Sequence, residues 1–390
     1  MTVPQHYRGL TWDHPRGAHA LLEAARRLAA TGAVCQVEWS RQPLADFEEH
    51  PLDALAARYD LLVIDHPHLG EAIAKNALQP LDTLFDELTL AAWRAGSVGQ
   101  SYASYELDGH LWALPIDAAA QVMAARADLC RGPVGEYVLP DTWPDVLALA
   151  RRKPVALSLA GPHALLMFFS LCIALGEQPV AHDPDTLISP ETGAAAFEWM
   201  RELASVCVLG GSDLSPIALL EAMATRDDLA CCPLVYGYVN YAAPRPPGKH
   251  ALTFTNAPAG AKRIRGSVLG GTGLALSRRT NPSGELLDHL RWLMSEPCQR
   301  SFVPQFDGQP GARAAWQDDA VNRTSGYFYA NTLETLECAW VRPRYDGYIA
   351  FQRAASLVLR VALEAGTAAS RVVADLQSIH LRYVSCRTGY

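Results

Sequence analysis

No run of about 18 uninterrupted apolar residues occurs in the 390-residue chain, so nothing in it reads as a membrane span. The first residues, Met1-Thr2-Val3-Pro4-Gln5-His6-Tyr7, lack the apolar core that a signal peptide requires. The expectation is therefore a protein that is neither inserted nor exported; a periplasmic location would need a leader removed ahead of this N-terminus. Cysteine is also badly placed for export. The nine cysteines are odd in number and scattered, with Cys231 and Cys232 adjacent, which is no secreted disulfide framework. That points to a reducing, cytoplasmic compartment. There is no C-x-x-C pair and no H-E-x-x-H helix, so no metal is expected. Basic charge is short as well: 33 Lys and Arg against 41 Asp and Glu give a net charge of -8, which excludes a broad phosphate-binding face and makes nucleic acid a poor partner. Gly270-Gly271-Thr272-Gly273 has neither dinucleotide spacing nor a P-loop lysine, no G-x-S-x-G elbow occurs, and no cofactor is called for.

What is present describes a packed protein. With 49% hydrophobic and 19% charged residues the chain can bury a core, and at this length two domains are the expectation. Tyr7 to Trp12 reads as a strand; Leu21, Leu22, Ala25, Leu28 and Ala29 then share one helix face. Cys35, Val37 and Trp39 alternate as a half-buried strand. Tyr59 to Ile64 is a continuous apolar run that suits a strand covered on both faces. Strands alternating with helices predict an α/β protein with a mostly parallel sheet. Helix starts are marked by Ser189-Pro190, Ser215-Pro216 and, as a capping-box variant, Thr142 with Asp145. Ala243 to Gly248 reads as a loop, Ser267 to Ser277 as a strand with a tight passage at Gly270-Gly271, and the last sixty residues as mainly helical.

One tripeptide occurs twice. Asp13-His14-Pro15 follows the first strand and Asp65-His66-Pro67 follows the buried one, so both fall at carboxyl ends of parallel strands, the edge where open α/β sheets bind ligands. Two readings stay open. The pairs hold a polar ligand's hydroxyls or amines, or they cap the next helix while proline sets the turn. Tyrosines form a second candidate set: Tyr102 and Tyr105, with Ser101 beside them, and Tyr236, Tyr238 and Tyr241. A period of two in Tyr236-Gly237-Tyr238-Val239-Asn240 would align both tyrosines with Asn240, offering rings and hydroxyls to a sugar-like solute or covering a core edge.

Four segments stand in order along the chain: Leu78-Gln79-Pro80-Leu81-Asp82, Asp108-Gly109-His110-Leu111-Trp112-Ala113-Leu114-Pro115-Ile116-Asp117, Pro140-Asp141-Thr142-Trp143-Pro144-Asp145-Val146-Leu147, and Gly270-Gly271-Thr272-Gly273-Leu274-Ala275-Leu276-Ser277. Together they resemble the type II extracellular solute-binding proteins, in particular the carbohydrate group of ABC transporters. The resemblance implies a two-lobed, periplasmic-binding-protein-like type II fold with a ligand cleft between lobes. Lobe I would comprise 1–117 plus 265–312, and lobe II 118–264 plus 313–390. It also implies Asp117 near the hinge, Gly271 and Thr272 at the cleft, and Trp12, Asp13, His14, Asp65 and His66 at strand ends that touch ligand. The Asp-His pairs and the many cysteines depart from the family pattern. Ala339-Trp340-Val341-Arg342-Pro343-Arg344-Tyr345 has no counterpart in it; arginines such as Arg344 could reach a carboxylate or order the C-terminal helices.

The expected function is capture of a small polar ligand, sugar-like or carboxylated, by lobe closure, with ABC transporter components as partners if the protein is exported. The alternative is a cytosolic enzyme on the same scaffold, with His14 or His66 as general acid/base. If the Asp-His pairs hold ligand, Asp65→Ala weakens binding about tenfold or more. Titration calorimetry of Asp13→Ala and Asp65→Ala checks this, and unchanged affinity in both would make the pairs mere strand ends.

Overall fold

The computed structural model describes residues 5–43, 51–131, 139–181, 183–208, 213–244 and 246–384. Arg245, inside the expected loop, and Cys386 lie outside them. Strands β1 (Gln5–Trp12), β2 (Cys35–Gln42), β3 (Leu61–Ile64), β4 (Glu106–Leu107), β5 (His110–Leu111) and β6 (Leu114–Pro115) come first. They are followed by β7 (Ala119–Ala125), β8 (Cys231–Tyr236), β9 (Thr253–Thr255), β10 (Leu269–Gly270) and β11 (Gly273–Leu276). The chain divides into two compact units. The first holds Met1–Ala119, Gly270–Arg323 and Arg342–Asp346; the second holds Ala120–Leu269, Thr324–Val341 and Gly347–Tyr390.

The first unit is built on a five-stranded sheet in the order β2-β1-β3-β11-β6. β1 runs parallel to both β2 and β3, but β11 is antiparallel to β3 and to β6. The sheet is thus mostly parallel, as expected: β2, β1, β3 and β6 share one direction, and β11 alone runs against them. β11 belongs to a segment that re-enters the first unit directly, with no crossover helix to turn it round, and antiparallel pairing is what such a return permits. All four residues of β3 are buried, as a strand paired on both sides and covered on both faces requires. β1 leads into helix α1 (Pro15–Ala30), which buries Arg16, Ala18, Ala20, Leu21 and Ala24. The expected face through Leu28 and Ala29 is wrong by part of a turn: Leu28 is half-exposed and Ala29 exposed. Small alanines early in α1 allow close packing, and the residues of its last turn are exposed or half-exposed.

Residues 313–323 and 342–346, expected in the second lobe, cluster with the first unit. The polar contacts of Arg342 and Arg344, described below, tie the second of these segments there. The second unit surrounds a sheet in the order β10-β7-β8, with β9 also paired to β7; β8 and β9 are both antiparallel to β7. Its core includes the helix His163–Ala174, in which every residue after His163 is buried, so it is apolar nearly all round. The capping signals act as their chemistry suggests. Ser189 and Ser215 accept from the backbone of Thr192 and Ala218, and Thr142 and Asp145 form a reciprocal box. Each such cap stabilises by about 1 kcal/mol.

Gly271 is the tightest point of the return. Its φ is +100°, and a Cβ there would lie 2.4 Å from the carbonyl oxygen of Asp117. Gly271→Ala should therefore lower the unfolding free energy by about 1–3 kcal/mol or more. Chemical denaturation of the variant measures it, and an unchanged midpoint would contradict the close approach.

Candidate functional site

The carboxyl ends of β1 and β3, the link before β7 and the glycine-rich return gather most of the candidate residues in the first unit. β1 places Trp12 at its buried end, 2% exposed. Gly17, one turn into α1, leaves room for it: a Cβ there would lie 2.1 Å from the indole nitrogen. The imidazole of His14 stacks on Trp12 at 5.2 Å with an interplanar angle of 8°, and the Arg16 guanidinium lies 5.6 Å from the indole centroid. His14 is also the N-cap of α1, its Nδ1 accepting from the backbone of Arg16 at 3.2 Å. Asp13 stays at the surface, 56% exposed, where Arg41 sits 2.9 Å away.

The second tripeptide is built differently. Asp65 ends β3 and its Oδ2 receives Nη2 of Arg342 at 2.6 Å, across 277 residues of sequence. Arg342 is 4% exposed and Asp65 35%. His66 is fully buried, with Nδ1 3.1 Å from Asp65 Oδ1. That distance suits a hydrogen bond, but the alignment is poor and Nε2 has no hydrogen-bond partner among the described residues. We therefore read the contact as a charge–dipole interaction. Tyr105 packs edge-on against His66 at 6.3 Å, and its hydroxyl donates to the carbonyls of Ile64 at 3.1 Å and Gly271 at 3.4 Å.

Asp117 is held twice. The Arg16 guanidinium binds its carboxylate through two bonds, Nε to Oδ1 at 2.8 Å and Nη2 to Oδ2 at 2.6 Å, with both side chains buried. Its backbone exchanges hydrogen bonds with Thr272 at 3.1 and 3.0 Å. The cavity beside this pair, lined by Arg16, Asp117, Thr272, Gln299, Val303 and Gln309, has a volume of about 20 Å³, which accommodates about one water and no sugar.

Other candidates serve the framework. Ser101 is buried and its hydroxyl donates to the carbonyl of Val98 at 2.7 Å. Nη1 of Arg344 donates to the carbonyls of Ala103, Ser104 and Glu106 at 2.8 to 3.0 Å, so it orders that turn. In the second unit Tyr236 ends β8, donates to the carbonyl of Leu269 at 3.3 Å and meets the ring of His163 edge-on at 5.8 Å. The expected period of two stops there. A helical turn begins at Val239, so Tyr238 and Tyr241 are buried and Asn240 does not continue a strand face.

The electrostatics favour fixed charges over proton transfer. Burial, aided by Arg16 and His19, brings His14 down to about 3, and burial brings His66 down to about 4 against the opposing pull of Asp65. Both rings are neutral near pH 7 and are poor bases there. Burial pushes the Asp65 carboxyl upward, but Arg342 and His66 outweigh it and hold the group below the ordinary carboxylate range. Burial raises the thiols too: Cys130 to about 11, and Cys207, Cys232 and Cys298 to about 12. Among the described residues no three His, Cys, Asp or Glu side chains come together as metal ligands, and no helix is long and apolar enough to cross a membrane.

Sequence reasoning passed over Arg16 and left Arg342 undecided. A signal existed for the first: an arginine in the first turn of a helix opposes the helix dipole, so a partner such as Asp117 should have been sought.

No family model matches this chain, and no curated protein matches it either. Solved structures do. Maltose-bound MalE3 of T. maritima is 17% identical, with a TM-score of 0.79 over 96% of this chain and 98% of that one. An ABC transporter solute-binding protein from Agrobacterium radiobacter in complex with ribitol is also 17% identical, with a TM-score of 0.79 over 97% and 99%. The maltotriose-binding protein of Thermus thermophilus, bound with maltotriose, is 19% identical, with a TM-score of 0.76 over 96% and 98%. The chain has the two-lobed α/β fold of the ABC-transporter solute-binding proteins.

His14, His66 and His289, the last brought to about 4 by burial, all bind protons less readily when folded than the ordinary histidine value of 6.5. The unfolded chain then holds more protons at acid pH, so stability should fall as pH drops from about 6.5 through 4. Denaturant titrations across that window measure it. His66→Asn should flatten the slope; a wild-type curve level from pH 7 to 4 would sink this expectation.

Proposed function

We propose that this chain is a binding protein for a sugar or polyol. The observation that carries the reading is a likeness over nearly the whole chain to solved structures that hold maltose, ribitol and maltotriose. The carboxylates at the strand ends support it, because Asp13 is at the surface and Asp65 one-third exposed, and a carboxylate accepts from hydroxyls. Capture by closure, with the bound state favoured by the ligand, belongs to the same proposal. Catalysis by His14 or His66 has less support, since both rings are held neutral and one of them caps a helix. Maltose, maltotriose, ribitol and mannitol should be titrated calorimetrically, and small molecules released from the denatured protein identified by mass spectrometry. At least one sugar or polyol should bind and be recovered unchanged. Failure of all four, with no hydroxylated compound released, would overturn the reading; recovery of a converted product would favour the enzyme.

A cytoplasmic location is the second part of the proposal. The eight described cysteines are free, seven of them buried and Cys338 exposed, as suits a reducing compartment. Cell fractionation with thiol titration of the native protein should find it in the cytoplasm with reduced thiols. Recovery from the periplasm would instead suit delivery of the ligand to ABC transporter components.

A further inference from the structure

Asp65 is one-third exposed, while the two groups that hold it are almost entirely buried. Arg342 takes Oδ2 at 2.6 Å, and His66 presents Nδ1 to Oδ1 at 3.1 Å. Tyr105 supports the arrangement from the side, packing edge-on against His66 while its hydroxyl is tied to the backbone at Ile64 and Gly271. A carboxylate held in this way cannot rotate freely; its Oδ1 is buried, so the acceptor capacity left for a ligand lies at Oδ2, beyond the lone pair that Arg342 uses. Holding an acceptor in one orientation removes the ordering cost that a mobile side chain meets on binding.

The cations around this edge are already committed. Arg16 binds Asp117, Arg41 lies against Asp13, Arg342 binds Asp65, and Arg344 donates to three carbonyls. Each carboxylate of this edge thus has an arginine against it, and Asp65, one-third exposed, keeps lone pairs beyond the one that Arg342 uses.

We propose that Arg342 and His66 are positioning residues that hold the Asp65 carboxylate as an oriented acceptor for ligand hydroxyls. This rests on the sugar or polyol reading above. His66, being fully buried, acts through Asp65 and does not touch ligand, and the same holds for Arg342.

The test uses whichever of maltose, maltotriose, ribitol or mannitol binds the wild-type protein. Arg342→Met should weaken that ligand about tenfold and His66→Leu about fivefold, the scale of one hydrogen bond lost or misaligned. His66→Asn, which keeps an N–H near the place of Nδ1, should recover most of the loss. If Arg342 acts through Asp65, adding Arg342→Met to Asp65→Asn should weaken binding by far less than tenfold. A pH profile separates positioning from mere stability: with Arg342 gone, Asp65 titrates nearer its ordinary value of about 3.9, so affinity should begin to fall at a higher pH than in the wild type. Wild-type affinity in both His66→Leu and Arg342→Met overturns the inference and leaves the sugar or polyol reading standing. Should Arg342→Met fail to fold, the His66→Leu and His66→Asn pair decides alone. If none of the four compounds binds the wild-type protein, that reading fails and this inference falls with it.

Discussion

The pairing of β11 with β3 is the constraint on which the first unit depends. β3 has only four residues, yet it is hydrogen-bonded to β1 on one side and to β11 on the other, from Gly273 against Ile64 to Leu276 against Leu61. A strand so placed has a neighbour on each edge, and its side chains are buried without exception. The pairing also joins distant parts of the chain. It carries the turn at Gly271 back beside Asp117, sets Gly273 against the ring of Tyr105, and leaves Asp65 as the first residue beyond the sheet.

Around that edge the unit places arginines where they can be neutralised. Two buried arginines meet carboxylates there, Arg16 at Asp117 and Arg342 at Asp65. Burying an ion pair is costly in desolvation, so such pairs contribute less to net stability than to the choice of one geometry, and removing one partner is far worse than never having had either. Arg344 makes the same point with neutral acceptors, drawing three carbonyls of one turn onto a single nitrogen. Arg342 and Arg344 together explain why residues 342–346 belong to the first unit although their neighbours on both sides belong to the second.

The two Asp-His-Pro segments show how far identical local sequence can diverge. The first follows a strand whose last residue, Trp12, is buried, yet Asp13 beyond it meets solvent and Arg41 while His14 caps α1. The second follows a strand buried on both sides, so Asp65 is partly enclosed and His66 wholly so. Their shared position at the ends of parallel strands could be read from the residues. Their unequal burial could not, because it depends on what distant parts of the chain pack against each strand end, as Arg342 does at Asp65.

Signals whose physics is local were legible in the sequence. Ser-Pro and Thr-x-x-Asp satisfy backbone groups within one turn, an apolar run marks a covered strand, and a Gly-Gly pair marks a tight passage, so the caps at Ser189, Ser215 and Thr142, the burial of β3 and the turn at Gly271 could all be anticipated. The tertiary structure decided the direction of β11, the face that α1 buries, the break after Tyr236 and the partners of the arginines. Each of these depends on contacts between residues far apart in the chain: Arg342 reaches Asp65 across 277 positions and Arg16 reaches Asp117 across 101. A sequence states which groups need partners; only the folded backbone brings a particular partner within hydrogen-bond distance.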